Sequence, residues 1–515
     1  MMPRRLLKFS TQLSDGSRIK IVEIDATPEE KPYVTLSHRW GKDETCKTTT
    51  ENLGELKTDG LIFKDLPRTY RDAVEVTAQL GYSYLWIDSL CILQNDEEDW
   101  KVEAPRMAVI YGNAVFTLAA MDAEDSGSGL FIKDMDDAKR MSLESRAWVM
   151  QEQMISPRSL MFTRNTISWD CREADGNWED NQLRLRKRSE GEMRNDLKIP
   201  DHPKELFAFF RDFRLPGVTF NEDQHRFMTM NSNLLGEEED YEPLLKAWWK
   251  LINMYSTRTL TYGKDKFLAL NGIAGVALRW TQLKNTFGLW YHFIEHELLW
   301  HVDPAGPEAT KPTSFRTPSW SWASLDGGRV LNRYYERLPA KPVLMIKPSF
   351  MKMPVGTSFD QGLPIPAWTA EHYTITMSGD LRSAEVTTRL GEDGKPECEI
   401  VLDPVGRFSE NENHRFIPDI ASWFPVGKTV KVFCLHMVQY QKGENDFPHY
   451  LDVHLVLVQV RKQQDIRLYD EYVDEIDVLE ERTMRRLGYM ETTYNEMRDG
   501  NAIWEDRWWR YLRLR

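Results

Sequence analysis

The chain reads as an α/β protein in its first third, built on a parallel sheet. A helical middle region and an antiparallel β-rich C-terminal region follow. Three observations predict this. Between residues 18 and 120, short apolar strands alternate with helical segments at crossover spacing. From 241 to 302 the pattern turns helical and fills with aromatic residues. From about 340 to 480, strand-like runs are separated by Gly, Pro and Asp turns. The corresponding division is 1–175, 176–330 and 331–515.

Residues 18–24 (Arg-Ile-Lys-Ile-Val-Glu-Ile) alternate like a half-buried strand, and 33–38 (Tyr-Val-Thr-Leu-Ser-His) form a second strand running into Arg39-Trp40-Gly41. A helix over 67–80 follows. Pro67 suits its first turn, Tyr70, Val74, Thr77 and Leu80 share a face, and Gly81 ends it. Tyr84-Leu-Trp-Ile87 is a short apolar strand ending at Asp88. The acidic turn Asp96 to Asp99 opens a helix reaching Tyr111, which Pro105 should kink or divide. A strand over Val115–Ala120, a helix at 144–154 and strands at 159–163 and 167–171 complete the region.

The stretch 176–240 is charged, and its basic run Arg184–Arg188 reads as a solvated loop or helix face. Strands are expected at 342–347, 372–378, 397–402, 429–438 and 450–460, with a terminal helix at 494–513 carrying Trp504, Trp508 and Trp509.

Lys+Arg of 66 against Asp+Glu of 80 leaves a net charge of −14, a poor balance for binding nucleic acid or anionic lipid. No apolar run approaches the ~18 to 20 residues that span a bilayer. The N-terminus has positive charge but no run long enough for a secretory signal. Five scattered cysteines form no CxxC pair and no Asn-x-Ser/Thr sequon occurs, so a cytoplasmic, reducing environment is expected. The 18 tryptophans predict an aromatic core.

Several strings occur together in order. They begin with Tyr33-Val-Thr-Leu-Ser-His-Arg-Trp-Gly41, Leu66-Pro-Arg-Thr69 and Tyr84-Leu-Trp-Ile-Asp-Ser-Leu-Cys-Ile92, and continue with Gly129-Leu-Phe131, Arg146-Ala-Trp148, Gln151-Glu152, Ser156-Pro-Arg158 and Trp169-Asp-Cys171. This series resembles the fungal heterokaryon incompatibility (HET) domain family over about 33–171. Segments such as Asp265-Lys-Phe-Leu-Ala269 and Pro318-Ser-Trp-Ser-Trp-Ala323 extend it downstream. Two residues depart from the family pattern: Ala147, where Gly is usual, and Pro105. The resemblance implies nonself recognition and programmed cell death, triggered by a protein partner of incompatible genotype or by self-association; from the charge balance and hydropathy, neither nucleic acid nor membrane is expected as a partner. It also implies likeness to TIR domains, which are flavodoxin-like modules, in agreement with the βαβαβ pattern.

In open parallel sheets ligands collect beyond the carboxyl ends of the strands. One strand delivers Ser37, His38, Arg39 and Trp40 there; its neighbour delivers Asp88, Ser89 and Cys91. The cluster reads as a buried hydrogen-bond network serving the fold or as a reaction site. TIR-like chemistry would make it a site for cleaving the nicotinamide–ribose bond of NAD, with NAD as substrate. A carboxylate would then stabilise the oxocarbenium-like state. In TIR enzymes that group is a helical Glu a few residues after a Trp, and Trp100-Lys-Val-Glu103 has that arrangement. Arg39 would bind phosphate and Trp40 would stack on a ring. A second enzymatic reading makes Cys91 a thiol nucleophile with His38 and Asp88 as base and orienter; against it, buried cysteine is commonly an inert small hydrophobe. An enzyme acting on a secondary metabolite is a further alternative. His292-Phe-Ile-Glu-His296 matches an H-x-x-E-H zinc pattern through His292, Glu295 and His296, but no third ligand can be named, and the pair reads as ordinary helix packing beside the Leu289, Phe293 and Trp300 stripe, with no metal expected.

Overall fold

A computed structural model describes residues 2–24, 31–41, 46–132, 143–171, 173–179, 182–187, 199–212, 238–281, 283, 285–313, 317–332, 342–344, 346–352, 374–391, 395–402, 413–441, 450–459, 482–494 and 509–514. The chain forms two compact units. The first holds Met1–Ala247, Arg258–Leu260 and Asp265–Gln282; the second holds Trp248–Thr257, Thr261–Lys264 and Leu283–Arg515.

The first unit is built on β1 (Arg5–Lys8), β2 (Arg18–Glu23), β3 (Val34–Ser37), β4 (Leu61–Ile62), β5 (Tyr84–Trp86), β6 (Thr117–Ala120), β7 (Arg158–Phe162), β8 (Ile167–Cys171), β9 (Ala174–Glu179) and β10 (Gln182–Lys187). They lie in one mixed sheet in the order β10-β9-β8-β7-β6-β3-β5-β1-β2-β4. The central strands β5, β3, β6 and β7 are parallel. Every residue of β3 and β6 is buried, as a strand covered on both faces requires.

The connecting helices are α1 (Leu53–Thr58), α2 (Arg68–Gln79), α3 (Asp88–Cys91), α4 (Glu97–Glu103), α5 (Met107–Asn113) and α6 (Ala147–Ile155). Pro105 divides α4 from α5 through a single 3-10 turn, Ala104–Arg106. Connections from β3 go first to β5 on one side, then past β3 to β6 on the other. The strand order therefore reverses direction between β3 and β6, the position where a crevice forms in open sheets.

Three features of this unit differ from expectation. β1 was not foreseen, because its Leu-Leu pair is short and flanked by charge. It lies between β5 and β2, and its Arg5, only 1% exposed, pairs with Asp99. The basic run from Arg184 is neither loop nor helix over 182–187 but the edge strand β10, where charge discourages pairing with another chain; residue 188 lies outside the described residues. In the charged stretch, α7 (Pro203–Asp212) forms, and its buried Lys204 donates to the Gln153 and Ser156 carbonyls at 2.7 and 2.8 Å.

The helix α8 (Glu238–Ser256) supplies residues to both units, and α9 (Leu268–Thr281) belongs to the first. In the second unit, β11 (Asn285–Thr286), β12 (Leu289–Trp290), α10 (Ile294–Glu297), β13 (Trp300–Val302) and β14 (Val330–Asn332) surround fully buried Trp248, Trp290, Trp300, Trp320 and Trp322. Three of the five indoles donate to backbone: Trp248 and Trp322 to the Gly288 carbonyl at 3.0 and 3.2 Å, and Trp300 to the Trp320 carbonyl at 2.8 Å. Here the tryptophan count finds its use.

The remaining strands are β15 (Pro342–Leu344), β16 (Ile346–Lys352), β17 (Thr374–Leu390), β18 (Pro396–Leu402), β19 (Asn413–Pro418), β20 (Thr429–Gln441), β21 (Tyr450–Gln459), β22 (Arg482–Tyr494) and β23 (Trp509–Leu514). β17, β20, β21, β22 and β23 close into a ring, a near-barrel that is antiparallel except for β22 against β23. The expected terminal helix is a strand over Trp509–Leu514. Its apolar positions 509, 511, 512 and 514 fit either period, and pairing with β17 and β22 decides between them. Trp504 and Trp508 lie outside the described residues.

Candidate functional site

β3 ends at Ser37, and the chain turns through His38, Arg39 and Trp40 to Gly41, whose φ is +84°. A Cβ at Gly41 would stand 2.4 Å from the Asp125 Cβ, so only glycine lets these two loops meet. The neighbouring β5 ends at Trp86, and Asp88 opens α3. The β3–β5 register, Thr35 opposite Trp86, sets Ser37 and Asp88 at the same level beyond the strand ends.

Asp88 is the hub. Its Oδ2 accepts from the Trp40 indole Nε1 at 2.9 Å, its Oδ1 accepts from the Ser89 amide at 2.8 Å, and His38 Nδ1 stands 3.9 Å from Oδ1. On the other side of the ring, His38 Nε2 meets the Tyr70 hydroxyl at 2.9 Å, which meets Ser89 Oγ at 2.8 Å. Tyr70 comes from the buried face of α2. From below, Arg146 at the start of α6 donates Nη1 to the His38 carbonyl at 2.6 Å.

Glu152, one and a half turns further along α6, turns its carboxylate toward Ser37, Arg146, Asp88 and Tyr111. Ser37 Oγ lies near that carboxylate but makes no well-directed hydrogen bond among the described residues.

The electrostatics follow from burial. His38 is held neutral, its pKa pushed down to about 4 by desolvation, which Asp88 opposes and Arg146 reinforces. Desolvation pushes Glu152 up to about 7 against the pull of Ser37 and Arg146. Arg39 is half-buried, and both burial and the like charge of Arg146 lower its pKa, with Glu124 opposing. The Asp88 side chain keeps 19% of its surface exposed while His38 keeps 1%, so the cluster reaches solvent through the carboxylate.

The structure thus brings together Ser37, His38, Trp40, Asp88 and Ser89, with Arg39 beside Arg146. Three other candidates stand elsewhere. The Cys91 side chain lies in the apolar core and its carbonyl accepts from Arg5 Nε at 2.9 Å. Burial pushes its thiol up to about 12, the opposite of an activated nucleophile. Glu103 is fully buried and pairs with Arg106 at 2.7 Å, while Arg106 also donates to the Met2 carbonyl. Trp100 packs half-buried against the main core. The carboxylate that meets His38 and Trp40 is Asp88.

Residues 33–173 match the family model described as Heterokaryon incompatibility protein (HET). No curated protein and no solved structure matches the chain. The HET segment runs from the residue before β3 to the residue before β9, and so contains every residue of the cluster.

Tyr70, Arg146 and Glu152 were not singled out from sequence as site residues. Arg146 and Glu152 did stand inside the family-like strings, whereas Tyr70 looked like one more residue of an apolar helix face. His292 and His296 fall on a 3-10 turn and the short α10 rather than on one regular helix. Among the described residues no group of three or more His, Cys, Asp or Glu could hold a metal ion, and no helix is long and apolar enough to cross a membrane.

A separate cavity of about 460 Å³, lined by Leu80, Tyr82, Phe116 and Trp169 among others, opens near the amino ends of β5, β6 and β7, away from this cluster.

Proposed function

We propose that this chain is a HET-domain signalling protein of fungal nonself recognition, acting in the cytoplasm. On this reading, contact with a protein partner of incompatible genotype, or self-association, turns the cluster beyond β3 and β5 into a trigger for programmed cell death. The observation that carries the reading is the coincidence of the HET match with the strands and helices that assemble the cluster. Five free cysteines accord with a reducing compartment.

A second reading, NAD glycohydrolase, is favoured by one specific arrangement: a partly exposed carboxylate, Asp88, bonded to the Trp40 indole and facing the His38 ring. The order β5-β3-β6-β7, second-first-third-fourth along the chain, is also that of flavodoxin-like and TIR-like sheets. The C1′–N bond of NAD would break with its electron pair leaving on neutral nicotinamide. Asp88 would stabilise the ribosyl cation, and water would add at C1′ and release a proton.

Expression of the full chain in yeast, with viability and NAD followed together, tests both readings. Growth arrest that Asp88→Asn abolishes, with NAD constant throughout, is the result expected of the signalling protein. Loss of NAD that Asp88→Asn restores selects the enzyme. A wild-type chain that leaves growth and NAD untouched, even when co-expressed with chains from incompatible strains, overturns both.

A further inference from the structure

The cavity at the amino ends of β5, β6 and β7 takes no part in the cluster, and its walls have a chemistry of their own. Phe116, on the way into β6, is buried; Leu160 of β7 and Trp169 of β8 stand directly opposite each other in the sheet and are half-buried. Tyr82 packs edge-on against Phe116 with ring centroids 5.6 Å apart, and Leu80, 51% exposed, lies at the rim. Three aromatic rings and two leucines thus border a space of about 460 Å³, within the range of about 300–1,000 Å³ typical of small-molecule sites. Such walls give water few hydrogen bonds, so an apolar body displaces it favourably.

Among the described residues a single charged group lines the cavity, the guanidinium of Arg158 at the start of β7. Its Nη1 donates to the Val115 carbonyl at 3.3 Å, which holds the group beside the aromatic wall and leaves the Nε–Nη2 edge for a ligand. Arg158 and Trp169 come from two of the family-like strings, Ser156-Pro-Arg158 and Trp169-Asp-Cys171, that the cluster leaves unused.

We infer that this cavity binds a small aromatic monocarboxylate, with its ring among Tyr82, Phe116 and Trp169 and its carboxylate on Arg158. Rings that meet edge-on or offset gain beyond their buried area, and a carboxylate takes two parallel hydrogen bonds from one edge of a guanidinium. A doubly charged phosphate ester would bring a charge that this lining leaves unmatched. The inference is independent of the trigger reading and of NAD chemistry, because no residue of the cluster lines the cavity.

Calorimetric titration of the full-length protein with 2-naphthoate, its neutral isostere 2-naphthamide, and octanoate tests it. Naphthoate should bind at least about tenfold more tightly than the amide. Arg158→Gln should remove that difference while leaving the amide's affinity in place. Leu80→Glu sets a negative charge at the exposed rim and should weaken naphthoate while sparing the amide. The ligand comparison on the wild-type chain decides even if Arg158→Gln fails to fold. Equal affinity for naphthoate and its amide, octanoate bound as tightly as naphthoate, binding that both variants leave intact, or no binding of naphthoate at millimolar concentration overturns the inference.

Discussion

Trp40 donates its indole Nε1 to Asp88 Oδ2 at 2.9 Å, tying the loop after β3 to the start of α3. Asp88 also accepts from the Ser89 amide and faces the His38 ring across 3.9 Å. Asp88→Ala leaves the indole and the amide without their acceptor, and should cost about 1–3 kcal/mol. Urea denaturation followed by tryptophan fluorescence measures this. An unchanged midpoint would mean that the hub bears no load.

Glu152 and His38 make opposed contributions to stability against pH. Glu152, raised to about 7 in the fold from 4.5, binds more protons folded than unfolded between those values. Its contribution is full below about 4.5 and is lost as pH rises toward about 7. His38, lowered to about 4 from 6.5, binds fewer protons folded, so its contribution is lost as pH falls from about 6.5 toward about 4. Glu152→Gln removes only the first. The variant should exceed the wild type by on the order of 1–3 kcal/mol near pH 8 and lose that advantage toward pH 5. Denaturation at a series of pH values checks the sign; an advantage that grows on acidification contradicts it.

Cys91, buried and with its thiol pushed up to about 12, should resist alkylation. Mass-spectrometric mapping after iodoacetamide treatment of the native protein at neutral pH should find it labelled no faster than the equally buried Cys434. Preferential labelling of Cys91 would restore the thiol reading.

Much of the parallel core was legible because its strands are short, continuous apolar runs bounded by helix stops such as Gly81. The meeting of Ser37, His38, Trp40, Asp88 and Ser89 was equally legible, since adjacent parallel strands deliver their next residues to one edge. The partners from helices were not. Tyr70 and Glu152 reach the cluster through tertiary packing that helical spacing alone does not encode, and Glu103 shares its helix-face character with Glu152 yet finds Arg106 instead. β1 and β23 were hidden because so few residues carry no decisive period and only their pairing makes them strands.

Asp99 is such a hidden partner. It receives Arg5 of β1, Arg4 at 3.1 Å and the Leu93 amide at 2.9 Å, in a site where both Arg5 and Asp99 are buried. Asp99→Ala leaves the Arg5 charge buried and uncompensated, and should cost about 3–5 kcal/mol. The loss should appear as a lowered denaturation midpoint and faster hydrogen exchange across β1. Retention of wild-type stability would show that Arg5 finds another partner.

The site itself is tested most directly by growth in yeast at matched protein levels for the wild type and four single variants, His38→Gln, Asp88→Asn, Cys91→Ser and Glu103→Gln. The account predicts that the first two relieve growth arrest while the last two leave it intact. Arrest that persists in His38→Gln and Asp88→Asn, or that disappears equally in all four, would contradict it.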